Sequence, residues 1–281
     1  MTLITDMLEF QNKIISKGVL PPMLPVIMCL GEQDDHLNLI RQDPGLALAL
    51  LRASAGSGLL DLRQIYHSLE QAEIKKLLDR ARRHKPIPVD QSSGPDFYLF
   101  WRTCQHRAEL ARLLAPLAGL EEHVEGLFTV SLLQEAPLAI LLLYLPARLR
   151  RTFPGFHWSL NTILKWSQDT ISLDIRHFGS RLYKAWNLPY LLVQSQQLPF
   201  IHNHNPQLML LDLAGQLIES FYAPDVDLDT DKLLKERRLA ISAQDLSQAL
   251  LASLESLPFA AVCPTSQFEV PEEFDEWSLT R

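Results

Sequence analysis

Apolar residues recur along most of the chain at spacings of three and four, which is the period of an α-helix. The pattern is clearest at residues 37–54, 97–117 and 180–195. The second stretch has an apolar face that runs from bulky to small side chains: Phe97, Phe100, Trp101, Cys104, Ala108, Ala111 and Ala115. No Asn-Gly hairpin signal interrupts the pattern, and the β-branched clusters are short. The sequence therefore predicts an all-α, multi-helical fold in which another helix packs closely against the small end of this face.

Two changes of composition divide the chain into three parts. Residues 84–96 (HKPIPVDQSSGPD) are rich in proline and serine, and residues 222–231 combine a proline with alternating aspartates. We therefore expect an N-terminal helical bundle at 1–85, a second helical domain at 96–222 and a C-terminal extension at 223–281. The extension should contain two charged helices, near 230–240 and 243–257, and end in an acidic tail.

Charge and composition narrow the class of protein. The formal net charge is −7, with 47% hydrophobic and 21% charged residues, which is ordinary for a folded globular protein. The chain has no long basic block, so we expect no nucleic-acid partner. Its longest apolar run, 136–146, is shorter than the roughly 20 residues that span a membrane, and the N-terminus has no signal pattern. Cys29, Cys104 and Cys263 are too far apart for a zinc motif, so we predict reduced thiols in a cytoplasmic protein.

A polar pair stands out within the apolar helical region 121–146. Gln134 and Glu135 lie on much the same helix face as Leu127, Phe128 and Ser131, just before Pro137. Either this face reaches solvent, or it forms the floor of a polar site. A third explanation is a hydrogen-bonded polar patch at a helix end, because proline interrupts the helix there.

An aspartate run resembles a calcium-binding loop in its spacing. The residues at loop positions 1, 3, 5, 7 and 12 would be Asp225, Asp227, Asp229, Asp231 and Glu236. However, Thr230 stands where the sharp turn of such a loop favours glycine. The favoured interpretation is a solvated turn in which Asp229 or Thr230 caps the next helix.

Two other short motifs have structural explanations. SAGSG at 54–58 superficially resembles a phosphate loop, but it follows a helix and no Lys-Ser/Thr comes after it, so we expect a helix C-cap. His202 and His204 could share a metal ion if other ligands converged on them. A surface loop is the favoured interpretation of this histidine pair.

Three stretches together resemble a known family. They are GVLPPMLPVIMCL (18–30) followed by LIRQDPGLALALLRASAG (39–56), FWRTCQHRAELARLLA (100–115), and DIRHFGSRLYKAWNLPYLLVQSQQ (174–197). Their order and spacing are similar to those of the HDOD domain, a signalling offshoot of the HD-type metal-dependent phosphohydrolases. The resemblance covers about residues 18 to 220, and it implies that 96–222 is an HD-like helical domain packed with the N-terminal bundle.

The resemblance also implies where metal ligands would lie. In the metal-binding relatives, the segment matching LLQEAPL carries a histidine and an aspartate, and here these positions are Gln134 and Glu135. The full set of vestigial ligand positions, which we expect to line a pocket, is Thr103, Gln134, Glu135, Ile175 and Gly215, with Pro199 and Phe200 at a tandem histidine pair. A shifted loop would bring His202 or His204 near that pair, so these histidines and Glu135 are the weak metal candidates.

The resemblance thus implies a non-catalytic HDOD-type signal-transduction module in a bacterial cytoplasm, with no cofactor. Such a module would act by binding a signalling protein or a small-molecule ligand in trans. The alternative is a metal-dependent phosphohydrolase of the HD superfamily that acts on a phosphate ester or nucleotide. A two-metal site needs several His and Asp ligands, and their loss at the matched positions favours the regulatory module.

The C-terminal tail, residues 264–281, interleaves acidic residues with Phe268, Phe274 and Trp277. A peptide of this composition suits docking into a groove, either of this molecule or of a partner. A frayed terminus is the alternative interpretation.

Overall fold

The protein forms an all-α fold, as the periodicity predicted. The computed structural model describes residues 7–23, 26, 36–83, 95–197, 205–223, 226, 229–237 and 239–255. Its helices are α1 (Met7–Lys17), α2 (His36–Gln42), α3 (Pro44–Ala53), α4 (Leu62–Ser68), α5 (Gln71–Arg83), α6 (Phe97–Leu117), α7 (Val124–Leu133), α8 (Ala136–Tyr144), α9 (Ala147–Arg150), α10 (Leu160–Ile171), α11 (Ile175–Ala185), α12 (Tyr190–Gln194), α13 (Pro206–Tyr222), α14 (Thr230–Arg237) and α15 (Ala243–Glu255), with a 3₁₀ turn at Glu121–His123.

Two of the three most periodic stretches each contain two helices. Stretch 37–54 breaks at Asp43, directly before Pro44, and stretch 180–195 breaks between α11 and α12, where Pro189 precedes the second helix. Proline disfavours helical backbone in the residue before it and has no N–H to donate, so it starts helices more easily than it continues them. Apolar residues are buried on both sides of each break.

Helix α6 lies at the centre of the fold. None of the seven residues of its predicted apolar face is more than 8% exposed, so this face is buried along its whole length. Helices α7, α13 and α15 pack against α6. The two predicted charged helices of the extension are α14 and α15. Asp229 caps the first of them, since its Oδ1 accepts a hydrogen bond from Lys232 N at 3.0 Å.

Within the described residues, one helical stretch, Glu121–Tyr144, is long and apolar enough to cross a membrane. It comprises the 3₁₀ turn, α7 and α8, and 83% of its most apolar window is buried inside the fold. The stretch is therefore buried in the core of the fold.

The helices on both sides of the proline-rich segment share one hydrophobic core. Buried apolar residues of α2–α5 and of α6–α13 belong to a single cluster. Polar contacts also join the two parts: Arg41 pairs with Glu125 at 2.8 Å, and Gln105 Nε2 donates to the Gln42 carbonyl. The boundaries proposed at 85, 96 and 222 stay predictions.

Asp43 ties the N-terminal Leu-Pro-Pro segment to α3. Its Oδ1 accepts from Leu46 N at 2.8 Å and its Oδ2 accepts from Met23 N at 3.0 Å. The following Gly45 is required because a Cβ there would lie 2.7 Å from the Leu20 carbonyl oxygen. Complete burial raises the pKa of Asp43 to about 6, although the backbone hydrogen bonds from Met23 and Leu46 act in the opposite direction.

The SAGSG motif forms the C-cap of α3, as expected. Ser54 N donates to the Leu50 and Leu51 carbonyls, and Gly56 has a φ of +86°, where glycine is favoured. Gly56 N also donates to the Asn187 carbonyl at 3.0 Å, so this cap contacts the turn between α11 and α12.

We expect Asp43 to make the stability of the protein depend on pH between about 4 and 6. Folding raises the pKa of Asp43 from 3.8 to about 6, so its stabilising protonation is fully present below pH 3.8 and is lost as the pH rises through 6. A shift of this size corresponds to about 3 kcal/mol. We expect the free energy of unfolding in urea, measured from pH 4 to pH 7, to fall in the wild type relative to that of Asp43→Asn. A difference that is constant with pH would contradict this assignment.

Candidate functional site

A cavity of about 690 Å³ lies beside α6, the junction of α7 and α8, the start of α11, and α13. We call it the pocket. Four of the five vestigial positions line it: Thr103, Gln134, Glu135 and Gly215. The fifth, Ile175, is buried in the core with 2% exposure and does not line the pocket, but its neighbour Arg176 does. The resemblance thus led to four residues that the fold brings together from three separate segments.

The α7–α8 junction explains why a polar pair interrupts an apolar region. Helix α7 ends at Leu133, and α8 begins at Ala136 with Pro137 in its first turn. Glu135 has φ −97° and ψ 2°, a turn conformation that directs the chain into the second helix. The pair does not face open solvent, because Gln134 is only 4% exposed. It lies on the floor of the pocket, and it is also a hydrogen-bonded patch at a helix end, as the third explanation had it.

Two arginines surround the Glu135 carboxylate. Its Oε1 accepts from Arg176 Nη2 at 3.0 Å and from Arg107 Nη1 at 3.3 Å, and none of the three side chains is more than 14% exposed. Burial alone would raise the pKa of Glu135, but the charges and hydrogen bonds of Arg176 and Arg107 outweigh burial and hold it below the ordinary value. Glu135 is therefore an ionised carboxylate whose charge is fully compensated.

Amide hydrogen bonds fix the backbone at the same junction. Gln134 Nε2 donates to the Ser195 carbonyl at 3.3 Å, and Gln196 Nε2 donates to the Gln134 carbonyl at 2.7 Å. Gly179 on α11 permits this arrangement, because a Cβ there would collide with Gln196 Oε1. These bonds join the α7–α8 junction to the end of α12.

The remaining vestigial positions offer little to a metal ion. Thr103 donates its hydroxyl to the Phe100 carbonyl of its own helix at 2.8 Å. Ile175 is the first residue of α11, which Asp174 caps by accepting hydrogen bonds from the Arg176 and His177 amides. Gly215 has no side chain, and a Cβ there would lie 4.0 Å from Arg107 Nε.

Helix α13 adds acidic residues that the sequence analysis did not identify. Asp212 and Glu219 line the pocket seven residues apart, on one helix face. Glu219 Oε1 accepts from Leu160 N at 2.6 Å, and burial raises the pKa of Glu219. Tyr222, at the end of the helix, makes a 2.7 Å hydrogen bond with Nδ1 of the buried His106.

The arginines were also missed, although the sequence contains a signal for each. Arg107 follows Thr103 by four residues, so both lie on the same face of a predicted helix. Arg176 directly follows Ile175. The family resemblance points only to the metal-ligand positions themselves, and the two arginines lie beside those positions.

The donor set of the pocket does not fit the metal centre of HD-type phosphohydrolases. Among the matched positions only Glu135 has a side chain that commonly binds such metals, and its carboxylate is taken by two guanidinium groups. No group of three or more His, Cys, Asp or Glu side chains is placed to hold a metal within the described part of the chain. His202, His204, Pro199 and Phe200 lie outside the described residues, as do Asp225, Asp227, Cys29, Cys263 and the tail 264–281.

The fold and the pocket define a helical domain with a polar, arginine-containing cavity. The model of the HDOD domain family matches residues 32–200, more than half of the chain, so this chain belongs to the HDOD domain family. The resemblance found in the sequence is thereby confirmed.

Two solved structures share the fold. The MmoQ response regulator from Methylococcus capsulatus str. Bath has a TM-score of 0.65 and 16% identity, over 83% of this chain and 98% of the solved chain. A virulence factor, cj0248, from Campylobacter jejuni subsp. jejuni has a TM-score of 0.63 and 16% identity, over 87% of this chain and 98% of the solved chain. Among curated proteins, none matches this chain.

We expect Glu135→Ala to destabilise the protein by about 3–5 kcal/mol, because it leaves two buried guanidinium groups without their carboxylate. Since folding lowers the pKa of Glu135 below 4.5, this contribution is present above that pH and is lost on acidification. Urea unfolding at pH 7 measures the effect. The control is Glu125→Ala, which removes the more exposed pair with Arg41 and should cost less than about 1 kcal/mol. Equal losses in the two variants would mean that the arginines of the pocket remain hydrated.

We expect Gln134→Ala to cost about 1–3 kcal/mol, because the buried Ser195 carbonyl loses its donor. Thermal unfolding should show a lower melting temperature. Gln216→Ala, which changes another amide of the pocket that is hydrogen-bonded to Asp212, is the control and should have a smaller effect. An unchanged melting temperature in Gln134→Ala would show that its amide contributes no net stability.

Proposed function

We propose that this protein is a non-catalytic regulatory module of a bacterial signalling system, located in the cytoplasm, and that it acts by binding a ligand in its pocket. The observation that carries the proposal is the pairing of Glu135 with Arg107 and Arg176 at the position of a vestigial metal ligand. Family membership and the similarity in fold to a protein described as a response regulator support a signalling role.

The charges around Glu135 argue against hydrolysis by a two-metal mechanism. Such a mechanism requires several anionic or imidazole ligands that hold two divalent cations and activate a water molecule. Here the carboxylate is bound by two cationic side chains, which repel a divalent ion at the same place. A metal ion would have to displace both arginines from a buried ion pair.

The pocket has the size and composition of a small-molecule site. Its volume of about 690 Å³ falls in the range typical of ligand pockets, roughly 300–1,000 Å³. Phe100, Phe156 and Tyr222 provide apolar surface, while Arg107 and Gln134 provide polar groups. We propose that the bound ligand, or its absence, is sensed by a signalling protein that binds in trans.

Metal analysis combined with an activity screen tests this function. We expect purified protein to retain far less than one iron, manganese or zinc ion per chain after dialysis. We also expect no turnover of a panel of phosphate esters and nucleotides with added Mn²⁺, Fe²⁺ or Mg²⁺. Near-stoichiometric metal together with turnover that is lost in Glu135→Ala, but kept in the control Glu125→Ala, would establish the phosphohydrolase instead.

A further inference from the structure

The two arginines of the pocket keep hydrogen-bonding capacity that their environment does not use. Glu135 Oε1 engages Arg107 Nη1 and Arg176 Nη2, but the Nε atoms of both arginines are buried without a hydrogen-bond partner within the described part of the chain. Arg176 is only 7% exposed. Leaving a donor of a charged group unpaired in the interior is unfavourable, so these groups indicate a missing partner.

The geometry of Arg107 specifies what kind of partner is missing. Its hydrogen bond to Glu135 uses Nη1, so the edge formed by Nε and Nη2 takes no part in that pairing. This edge presents two parallel N–H donors at the spacing of two oxygens of a carboxylate or phosphoryl group. A neutral acceptor such as a carbonyl group would satisfy only one of them.

Gly215 leaves space next to this edge. A Cβ built on Gly215 would have Arg107 Nε as its nearest neighbour, at 4.0 Å, with nothing closer. Helix α13 therefore carries no side chain at the position that faces the guanidinium group. Both Gly215 and Arg107 line the pocket.

The carboxylates that line the pocket restrict the charge of the ligand. Both oxygens of Asp212 accept from Gln216 Nε2 at 3.2 Å, and Glu219 accepts from Leu160 N. Carboxylates in the lining oppose a polyphosphate, so the ligand should carry no more than one oxyanion group. The aromatic side chains Phe100 and Phe156, and a volume much larger than one phosphate ion, favour an oxyanion attached to an apolar or flat group.

We propose that the pocket binds a small molecule with one oxyanion group, which the guanidinium group of Arg107 holds next to Gly215. The proposal deepens the proposed function, since it names the ligand class of the same pocket. The metal and activity screen does not depend on it. If the screen is negative and adenosine binds while oxyanions do not, the ligand class is wrong and the binding function stands.

Isothermal titration calorimetry of the full chain, with probes at up to about 10 mM to detect weak sites, tests the proposal. The probes are inorganic phosphate, benzoate, adenosine 5′-monophosphate and neutral adenosine. We expect benzoate or the nucleotide to bind and adenosine to bind at least about 10-fold more weakly, a difference of about 1.4 kcal/mol. Benzoate and the nucleotide distinguish a carboxylate from a phosphoryl ligand, and inorganic phosphate shows whether the oxyanion alone suffices.

Variants at Gly215 provide a matched pair. Gly215→Asp supplies a carboxylate from the chain itself beside Arg107 and should abolish oxyanion binding. Gly215→Ala adds a methyl group at ordinary contact distance and should retain it. Arg107→Gln, an independent variant, should weaken binding at least about 10-fold if Gly215→Asp does not fold.

The absence of binding by every oxyanion probe would overturn the proposal. So would oxyanion binding that is unchanged in both Gly215→Asp and Arg107→Gln, since the oxyanion would then lie elsewhere.

Discussion

The pocket depends on one constraint: the carboxylate of Glu135 is buried, so arginines from two other helices have to neutralise its charge. An ionised carboxylate that is almost shielded from water needs cations and hydrogen-bond donors near it. Arg107 comes from α6, and Arg176 comes from the start of α11, so the pairing connects segments that are 28 and 41 residues from Glu135 in the chain. Within the described residues, these ion pairs lie at the position to which the family resemblance assigns a metal ligand.

The same junction is held by bonds that do not involve charge. The Gln134 and Gln196 amides donate to backbone carbonyls across the α7–α8 and α12 segments, and Tyr183 donates to the Leu133 carbonyl. Asp43 performs a related task by accepting hydrogen bonds from two backbone amides of separate segments. Buried polar groups that are satisfied in this way specify one arrangement of helices, which apolar packing alone specifies less sharply.

The sequence predicted much of the fold because helical periodicity is a local property. The apolar face of residues 97–117 and the cap at Asp229 follow from spacing and residue type alone. The breaks within 37–54 and 180–195 were missed because the apolar period continues through Pro44 and Pro189, although each proline was visible. The resemblance located Gln134 and Glu135, but it could not reveal Arg107 and Arg176 as partners of Glu135. Their pairing is a long-range contact that appears only when α6, α8 and α11 pack together.

The position of the α7–α8 junction has a consequence for how tightly the pocket can bind. Its floor is the connection between two core helices, and the Gln134 carbonyl, the Leu133 carbonyl and the side chain of Glu135 are each held by a hydrogen bond from another helix or its end. The residues of this floor would therefore lose little conformational entropy when a ligand binds, because folding has already restricted them. A site on this floor is preorganised, so even a ligand with few atoms can gain affinity from each contact it makes there.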